Sequence, residues 1–389
     1  MRTAALVVGL LAAAFQACAA DGLTVISFGR ADQDALNYAF YSGFGRATGI
    51  PIKSLSYDGD TSDLAQMVRG GNPPWDLMQV ESRALRQGCE QGLFEKLDLS
   101  RVGNTGDFIS GAVSECGVGI FAWSVALAYS DRLAGTPASW ADFWDLKRFP
   151  GKRGLRRSAK YTLEIALLAD GVAPADVYTV LATDAGVDRA FRKLEQIKAD
   201  TVWWEAAAQS GLLLAAGDIV MSPGYALWLD PERPGNENLR IAWNQSLYDV
   251  DSWAIVRGSA NVADAYRFIA FASAPERQKL LSERVSYGPA NRKALALLGA
   301  DRARSLPSFD ATLARALRVD AAFWIAHGEA LERRFDAWAP AICRDQADDD
   351  DDAPTEQAVC QDVRGRMRVH RPGSGASDRV PGSGAPMNR

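Results

Sequence analysis

Short apolar, β-rich runs separated by helix-length segments occur in two series along this chain, and that alternation leaves few folds open to it. Leu23–Phe28 reads as a buried strand running into Gly29, with a helix following over 34–47. A second strand, 50–55, ends at Tyr57-Asp58-Gly59-Asp60-Thr61. A helix from Ser62 to Val68, with Asp63 in its first turn, leads to a third strand over 76–80. The second series has a long strand over 119–129, a short helix opening at Trp140-Ala141-Asp142-Phe143-Trp144 and a strand at Arg153–Arg156. Helices are expected over 162–169, 174–181 and 186–198, strands over 219–221, 241–243 and 252–256, then helices over 261–273 and 275–283. A helical block over 309–338 closes the globular part. Such spacing predicts an α/β protein with mainly parallel sheet covered on both faces.

The first residues predict export. Met1-Arg2 supplies a positive end, 4–15 is a small-apolar run, and Ala17-Cys18-Ala19 or Cys18-Ala19-Ala20 supplies small residues for cleavage. Neither this run nor any later one is long enough to span a bilayer. Lipid anchoring at Cys18 is not expected, because Phe15-Gln16-Ala17 lacks the Leu-like residue three places before the cysteine. Loss of Arg2 with residues 1–20 takes the formal net charge from −5 to −6, which argues against a nucleic-acid partner.

Four cysteines then remain: Cys89, Cys116, Cys343 and Cys360. An even count in an exported chain favours two disulfides. Proximity suggests Cys89–Cys116 and Cys343–Cys360, although three connectivities are possible. Without a CxxC pair no metal is expected, and no cofactor motif is present. His327 and His370 are the only histidines, and no GxSxG, HExxH, Walker loop or GxGxxG occurs, so no catalytic residue is assigned. The run Asp348–Asp352 and the Pro/Gly/Ser-rich stretch from Arg371 bury too little apolar surface to repay ordering, so 344–389 is expected to be a disordered tail.

Six collinear segments carry a family resemblance. They are 88–98 (Gly-Cys-Glu-Gln-Gly-Leu-Phe-Glu-Lys-Leu-Asp), Glu115-Cys116-Gly117-Val118-Gly119, Asp142-Phe143-Trp144-Asp145 with Phe149-Pro150-Gly151-Lys152-Arg153, Ala169-Asp170-Gly171-Val172, Asp251-Ser252-Trp253-Ala254-Ile255, and Tyr287-Gly288-Pro289-Ala290-Asn291. Over about 23–338 the chain resembles the bacterial periplasmic solute-binding proteins of extracellular family 1, in the spermidine/putrescine-binding group. The resemblance implies a type II periplasmic binding protein: two α/β lobes joined by a two-strand hinge, with a ligand cleft between them. Lobe one would comprise 21–129 plus 252–300 and lobe two 130–251, with helices in 301–343 packing on the lobes. It also implies a periplasmic monomer that captures a small cationic or zwitterionic ligand by hinge closure and delivers it to an inner-membrane ABC permease.

Ligand-binding candidates follow from strand ends and from this resemblance. Phe28 ends the first strand, where the family commonly has a Trp; it is a cleft wall or plain core. Tyr57 and Asp58 follow the second strand, with Asp60 better explained as turn and N-cap chemistry. Glu81 directly follows the third strand. Trp123 stands where the family keeps a cleft aromatic, and Tyr225 where relatives present an aromatic or an Asn-Gly-Arg. Trp203-Trp204-Glu205 reads as core packing and surface. Asp251 matches the acid of an aromatic-x-x-Asp-Ser segment that grips an amine, and Asp249 points to the same side of a strand; the competing explanation is a hinge salt bridge to Arg257.

Such carboxylates and aromatics suit a polyamine such as putrescine or spermidine. One departure favours a different ligand. The stretch Ser158-Ala159-Lys160-Tyr161 lacks the acids that polyamine binders carry there, and Lys152, Arg153, Arg156 and Arg157 precede it. The alternative is therefore a ligand with one amine and one anionic end, such as a γ-amino acid. An exported hydrolase using the Asp249/Asp251 pair is a remote third reading.

Overall fold

A computed structural model describes residues 22–29, 33–342, 359–361 and 367–369. Its centre is one ten-stranded mixed sheet. Eight strands are labelled here: β1 (Leu23–Phe28), β2 (Ile52–Tyr57), β3 (Leu77–Val80), β4 (Val118–Ser130), β5 (Arg153–Arg156), β6 (Thr201–Trp204), β7 (Met221–Tyr225) and β8 (Leu239–Ile255). They lie in the order β2-β1-β3-β8-β4-β7-β5-β6, with short strands Leu317–Arg318 on β8 and Gly288–Pro289 on β4.

The expected parallel pairing holds at both ends of this sheet. Strand β1 is parallel to β2 and β3, and β5 is parallel to β6 and β7. The centre is antiparallel, because β4 leaves the first half of the sheet and β8 returns to it. Two strands expected over 241–243 and 252–256 are thus parts of one 17-residue strand. Its polar middle hides the continuity: Asn244, Gln245 and Ser246 interrupt the apolar pattern. There the ladder shifts register, for Val125 pairs with Leu247 whereas Leu127 pairs with Ala242, so 243–246 bulge out opposite Ala126. Gln245 takes φ +57°, and Trp140 Nε1 donates to its carbonyl at 2.8 Å.

Core packing explains several of the recurring segments. Trp253 is surrounded by Phe40, Tyr41 and Phe268. Arg153 is fully buried, and its guanidinium donates to the carbonyls of Phe143, Phe149 and Gly151 at 2.6, 2.6 and 2.7 Å. Burial lowers its pKa to about 10, and its work is to satisfy loop carbonyls that water cannot reach. Trp203 packs edge-on to Phe335 and Trp338, as core.

The helical block expected over 309–338 is divided into Asp310–Leu313, the strand Leu317–Arg318 and the C-terminal helix Ala321–Trp338. Asp320 starts that helix by accepting from the Phe323 N–H at 3.0 Å. The helix packs on both Ser82–Glu90 and Ala159–Ala169. Short strands Ala341–Ile342, Val359–Gln361 and Met367–Val369 form a small second sheet, so part of the stretch expected to be disordered is in β pairing. The leader expected over 1–20 and Cys343 of the second expected disulfide lie outside the described residues. Cys89 and Cys116 are bonded, as proximity suggested, with Cα atoms 5.9 Å apart.

The 27-residue separation closed by that bond corresponds to about 3–4 kcal/mol of lost chain entropy in the unfolded state. The double variant C89A/C116A is expected to lose stability of that order in guanidinium unfolding, with its ligand affinity retained.

Candidate functional site

The β4–β8 ladder sets the site. Trp123 on β4 lies directly opposite Asp249 on β8, and Phe121 opposite Asp251. Since strand side chains alternate, Asp249 and Asp251 share one face while Val250 and Ser252 take the other. A cavity of about 1020 Å³ opens on that second face, against Val250, Ser252, Asn244 and Gln245. Ser82, which donates to Asp249, also lines this cavity, whereas Asp249 and Asp251 themselves do not.

Both aspartates are buried, 2% and 3% exposed. Asp251 accepts from Trp123 Nε1 at 2.9 Å and from Gln79 Nε2 at 2.7 Å. Asp249 accepts from Ser82 Oγ at 2.6 Å and from the Val250 N–H at 2.8 Å. All four donors are neutral, and no described Lys or Arg forms an ion pair with either carboxylate. Arg257, the alternative partner, turns instead to Glu95 at 4.0 Å and to the Phe94 carbonyl. Two acids with no ion-pair partner in a low-dielectric place hold their protons more tightly, and the Lys160 charge acting on Asp249 offsets this only in part. Burial raises Asp249 to about 6. Burial, then the charge of Glu81, raises Asp251 well above the usual carboxylate range.

Glu81 begins the helix Ser82–Glu90 and is half-buried; its charge acts on Asp249, Asp251, Tyr57, Tyr161 and Tyr225 alike. Gln79, two residues earlier on β3, is fully buried, and its Oε1 is an acceptor without a partner among the described residues. On the first half of the sheet, Tyr57 stacks on Phe28 with ring centres 4.9 Å apart, and its hydroxyl donates to the Gln79 carbonyl. Asp58 stays at the edge, exposed, accepting from the Asp60 N–H as a turn residue does.

The second half supplies three aromatic rings in mutual contact: Trp123, Tyr161 and Tyr225, with centres 5.5 to 6.2 Å apart. Arg156, at the end of β5, donates to the Tyr225 hydroxyl at 3.3 Å and lies near the face of Tyr161. No described carboxylate pairs with it. Tyr161 has φ +75° and ψ −38°, a backbone state a bulky residue enters at a cost of about 1–3 kcal/mol and one that collects at ligand sites.

Of the sequence candidates, Tyr57, Glu81, Trp123, Tyr225, Asp249 and Asp251 converge, with Phe28 behind Tyr57. Tyr161, Arg156, Gln79 and Ser82 were not singled out. Tyr161 ends the stretch that lacks the acids of polyamine binders, and Arg156 belongs to the basic run before it and ends a strand. Gln79 stands two residues from Glu81 on an exposed-looking polar position, and only the sheet buries it. Among the described residues there is no metal-binding cluster and no helix long and apolar enough to cross a membrane.

A sheet of this kind, two halves joined through a pair of long antiparallel strands with a polar site beside them, is the architecture of two-lobed binding proteins. Residues 39–305 match the family model of bacterial extracellular solute-binding proteins, and the chain belongs to that family. It is 49% identical over 332 residues to the gamma-aminobutyric acid-binding protein of Pseudomonas aeruginosa, covering 85% of this chain and 94% of that one. A structure of an ABC transporter substrate-binding protein from Bradyrhizobium japonicum matches at 34% identity and TM-score 0.74, over 82% of this chain and 99% of that one. The Atu4243–GABA receptor matches at 29% identity and TM-score 0.73, over 84% and 100%. A spermidine/putrescine-binding protein from Streptococcus pneumoniae, at 17% identity and TM-score 0.68 over 82% and 99%, shares the fold alone. The chain is therefore a substrate-binding protein of the ABC-transporter type, and its relatives are binders rather than enzymes. The family expected from the sequence holds, whereas its spermidine/putrescine group does not stand out among these relatives.

The raised Asp249 has a defined effect on stability. A carboxyl whose folded pKa lies above its unfolded one stabilises the fold fully below about pH 4, and that contribution is lost as the pH rises through about 6. In D249N the amide oxygen can still accept from Val250 and the amide nitrogen can donate to Ser82. Unliganded D249N is expected to melt above wild type near pH 8, the gap closing toward pH 5. A gap that stays constant across a calorimetric pH series contradicts this.

Proposed function

We propose that this protein binds an unbranched γ-amino acid, with γ-aminobutyrate as the reference ligand, and delivers it from the periplasm to an inner-membrane permease. The observation that carries the reading is the opposite polarity of the two sides of the aromatic box. Among the described residues, Asp249, Asp251 and Glu81 stand on one side with no ion-pair partner, and Arg156 stands on the other with none. The charge of Lys160, which lies over the Tyr161 ring, acts on Asp249 but less than burial does. The ligand ammonium would neutralise the buried acids, and the Gln79 Oε1 offers a further acceptor. Arg156 would take the carboxylate, and the methylenes would lie among Tyr57, Trp123, Tyr161 and Tyr225. A polyamine would bring its second ammonium toward Arg156, at a like-charge cost. The 49% identity to a gamma-aminobutyric acid-binding protein supports the same choice.

Entry to buried acids requires the halves to part. The bulge at 243–246, where Gln245 already holds a left-handed conformation, is where we place the hinge. Ligand then favours closure because only the closed form offers both charges at once.

In a thermal-shift panel at one hundred times the dissociation constant, γ-aminobutyrate is expected to stabilise the protein by about 2.7 kcal/mol, with putrescine and spermidine having no effect. Affinity measured by calorimetry should fall about tenfold or more in both R156A and D251N. D251N keeps its partners, since the Gln79 amide can turn to accept. Tighter binding of putrescine than of γ-aminobutyrate would overturn the proposal.

A further inference from the structure

We infer that Glu332, on the C-terminal helix, is a positioning residue for the site. Its carboxylate grips the start of the helix Ala159–Ala169 from 172 to 174 residues away: Oε1 accepts from Ser158 Oγ at 2.8 Å and from the Lys160 N–H at 3.1 Å, and Oε2 from the Ala159 N–H at 2.8 Å. Ser158 occupies the N-cap position but makes no side-chain cap bond of its own, and its hydroxyl donates to Glu332. A carboxylate from another element thus satisfies the Ala159 and Lys160 N–H groups ahead of the regular helix.

The residue that depends on this contact is the next one along, Tyr161. Lys160 is extended (φ −62°, ψ 129°) and Tyr161 has positive φ; neither is helical. Such a backbone persists only where its surroundings over-determine it. Below the turn, Thr162 Oγ1 and the Ser158 N–H both bond the Arg156 carbonyl. Above it, Glu332 fixes 158–160. Held between them, the Tyr161 ring meets Trp123, whose indole N–H holds Asp251. Release of Glu332 lets the turn relax and takes one wall from the box while leaving every proposed ligand contact chemically intact.

This inference rests on the proposed site, and its test separates the two. γ-Aminobutyrate affinity is measured by calorimetry for wild type, E332A, E332Q and R334A. Arg334 pairs with Asp188 at 2.6 Å from the same helix and does not touch 158–160, so R334A reports general loosening of the helix. Affinity is expected to fall about tenfold or more in E332A, less in E332Q, which keeps one acceptor, and to stay within about twofold in R334A. In 3-fluorotyrosine-labelled protein the Tyr161 ¹⁹F resonance, assigned with Y161F, is expected to shift or broaden in E332A and E332Q without any ligand. Should wild type not bind γ-aminobutyrate, the functional proposal fails and the ¹⁹F readout alone judges Glu332. An unmoved resonance, or wild-type affinity in a folded E332A, overturns the inference.

Discussion

The antiparallel ladder between β4 and β8 is the constraint on which the rest depends. It is the backbone connection through which one half of the sheet continues into the other, and it also carries Trp123, Asp249 and Asp251. Strand alternation does the sorting over 249–252: Asp249 and Asp251 face the aromatic box, and Val250 and Ser252 face the cavity behind it. A register slip of one residue would exchange Asp249 and Asp251 for Val250 and Ser252. The bulge at 243–246 lies a few residues from Asp249, so the place where the ladder can bend adjoins the place where ligand would be held.

Much of the site works against folding. Asp249 and Asp251 are buried with neutral donors only, Gln79 Oε1 has no described partner, and Tyr161 stores backbone strain. The first two are costs in the unliganded protein that a ligand of suitable charge would relieve, so that part of the binding energy favours closure. The surrounding structure meets these costs with conventional means. Trp253 is enclosed by aromatic rings, Arg153 satisfies loop carbonyls, and Cys89–Cys116 limits the unfolded chain.

Glu164 shows that a buried acid in this fold need not belong to the ligand site. It lies fully buried on the helix Ala159–Ala169, accepting from Trp324 Nε1 at 2.7 Å and Tyr178 Oη at 3.1 Å, and burial raises its pKa to about 7. Its contacts tie the second half of the sheet to the C-terminal helix, which also touches Ser82–Glu90 on the first half. That helix is the second physical link between the halves and the one from which Glu332 reaches the strained turn.

The sequence by itself determined the class. Leu23–Phe28, Arg153–Arg156 and Trp140–Trp144 fall where periodicity and turn residues put them, because local pattern and burial agree there. Tyr57 and Glu81 stood out at strand ends, Asp251, Trp123 and Tyr225 were marked through the family resemblance, and Asp249 by its alternation with Asp251 along one strand. The single long β8 was not legible, because continuity across a polar bulge comes from pairing with β4 and not from hydrophobic pattern. Tertiary structure alone decided the rest. It buried Gln79, turned Arg156 from a member of a basic run into a cation beside the aromatic box, with Lys160 near the same Tyr161 ring, and joined Glu332 to Lys160, the neighbour of Tyr161, across 172 residues. Long-range contacts of that kind leave no mark on local composition, and they decide which charges lose their water and so acquire a function.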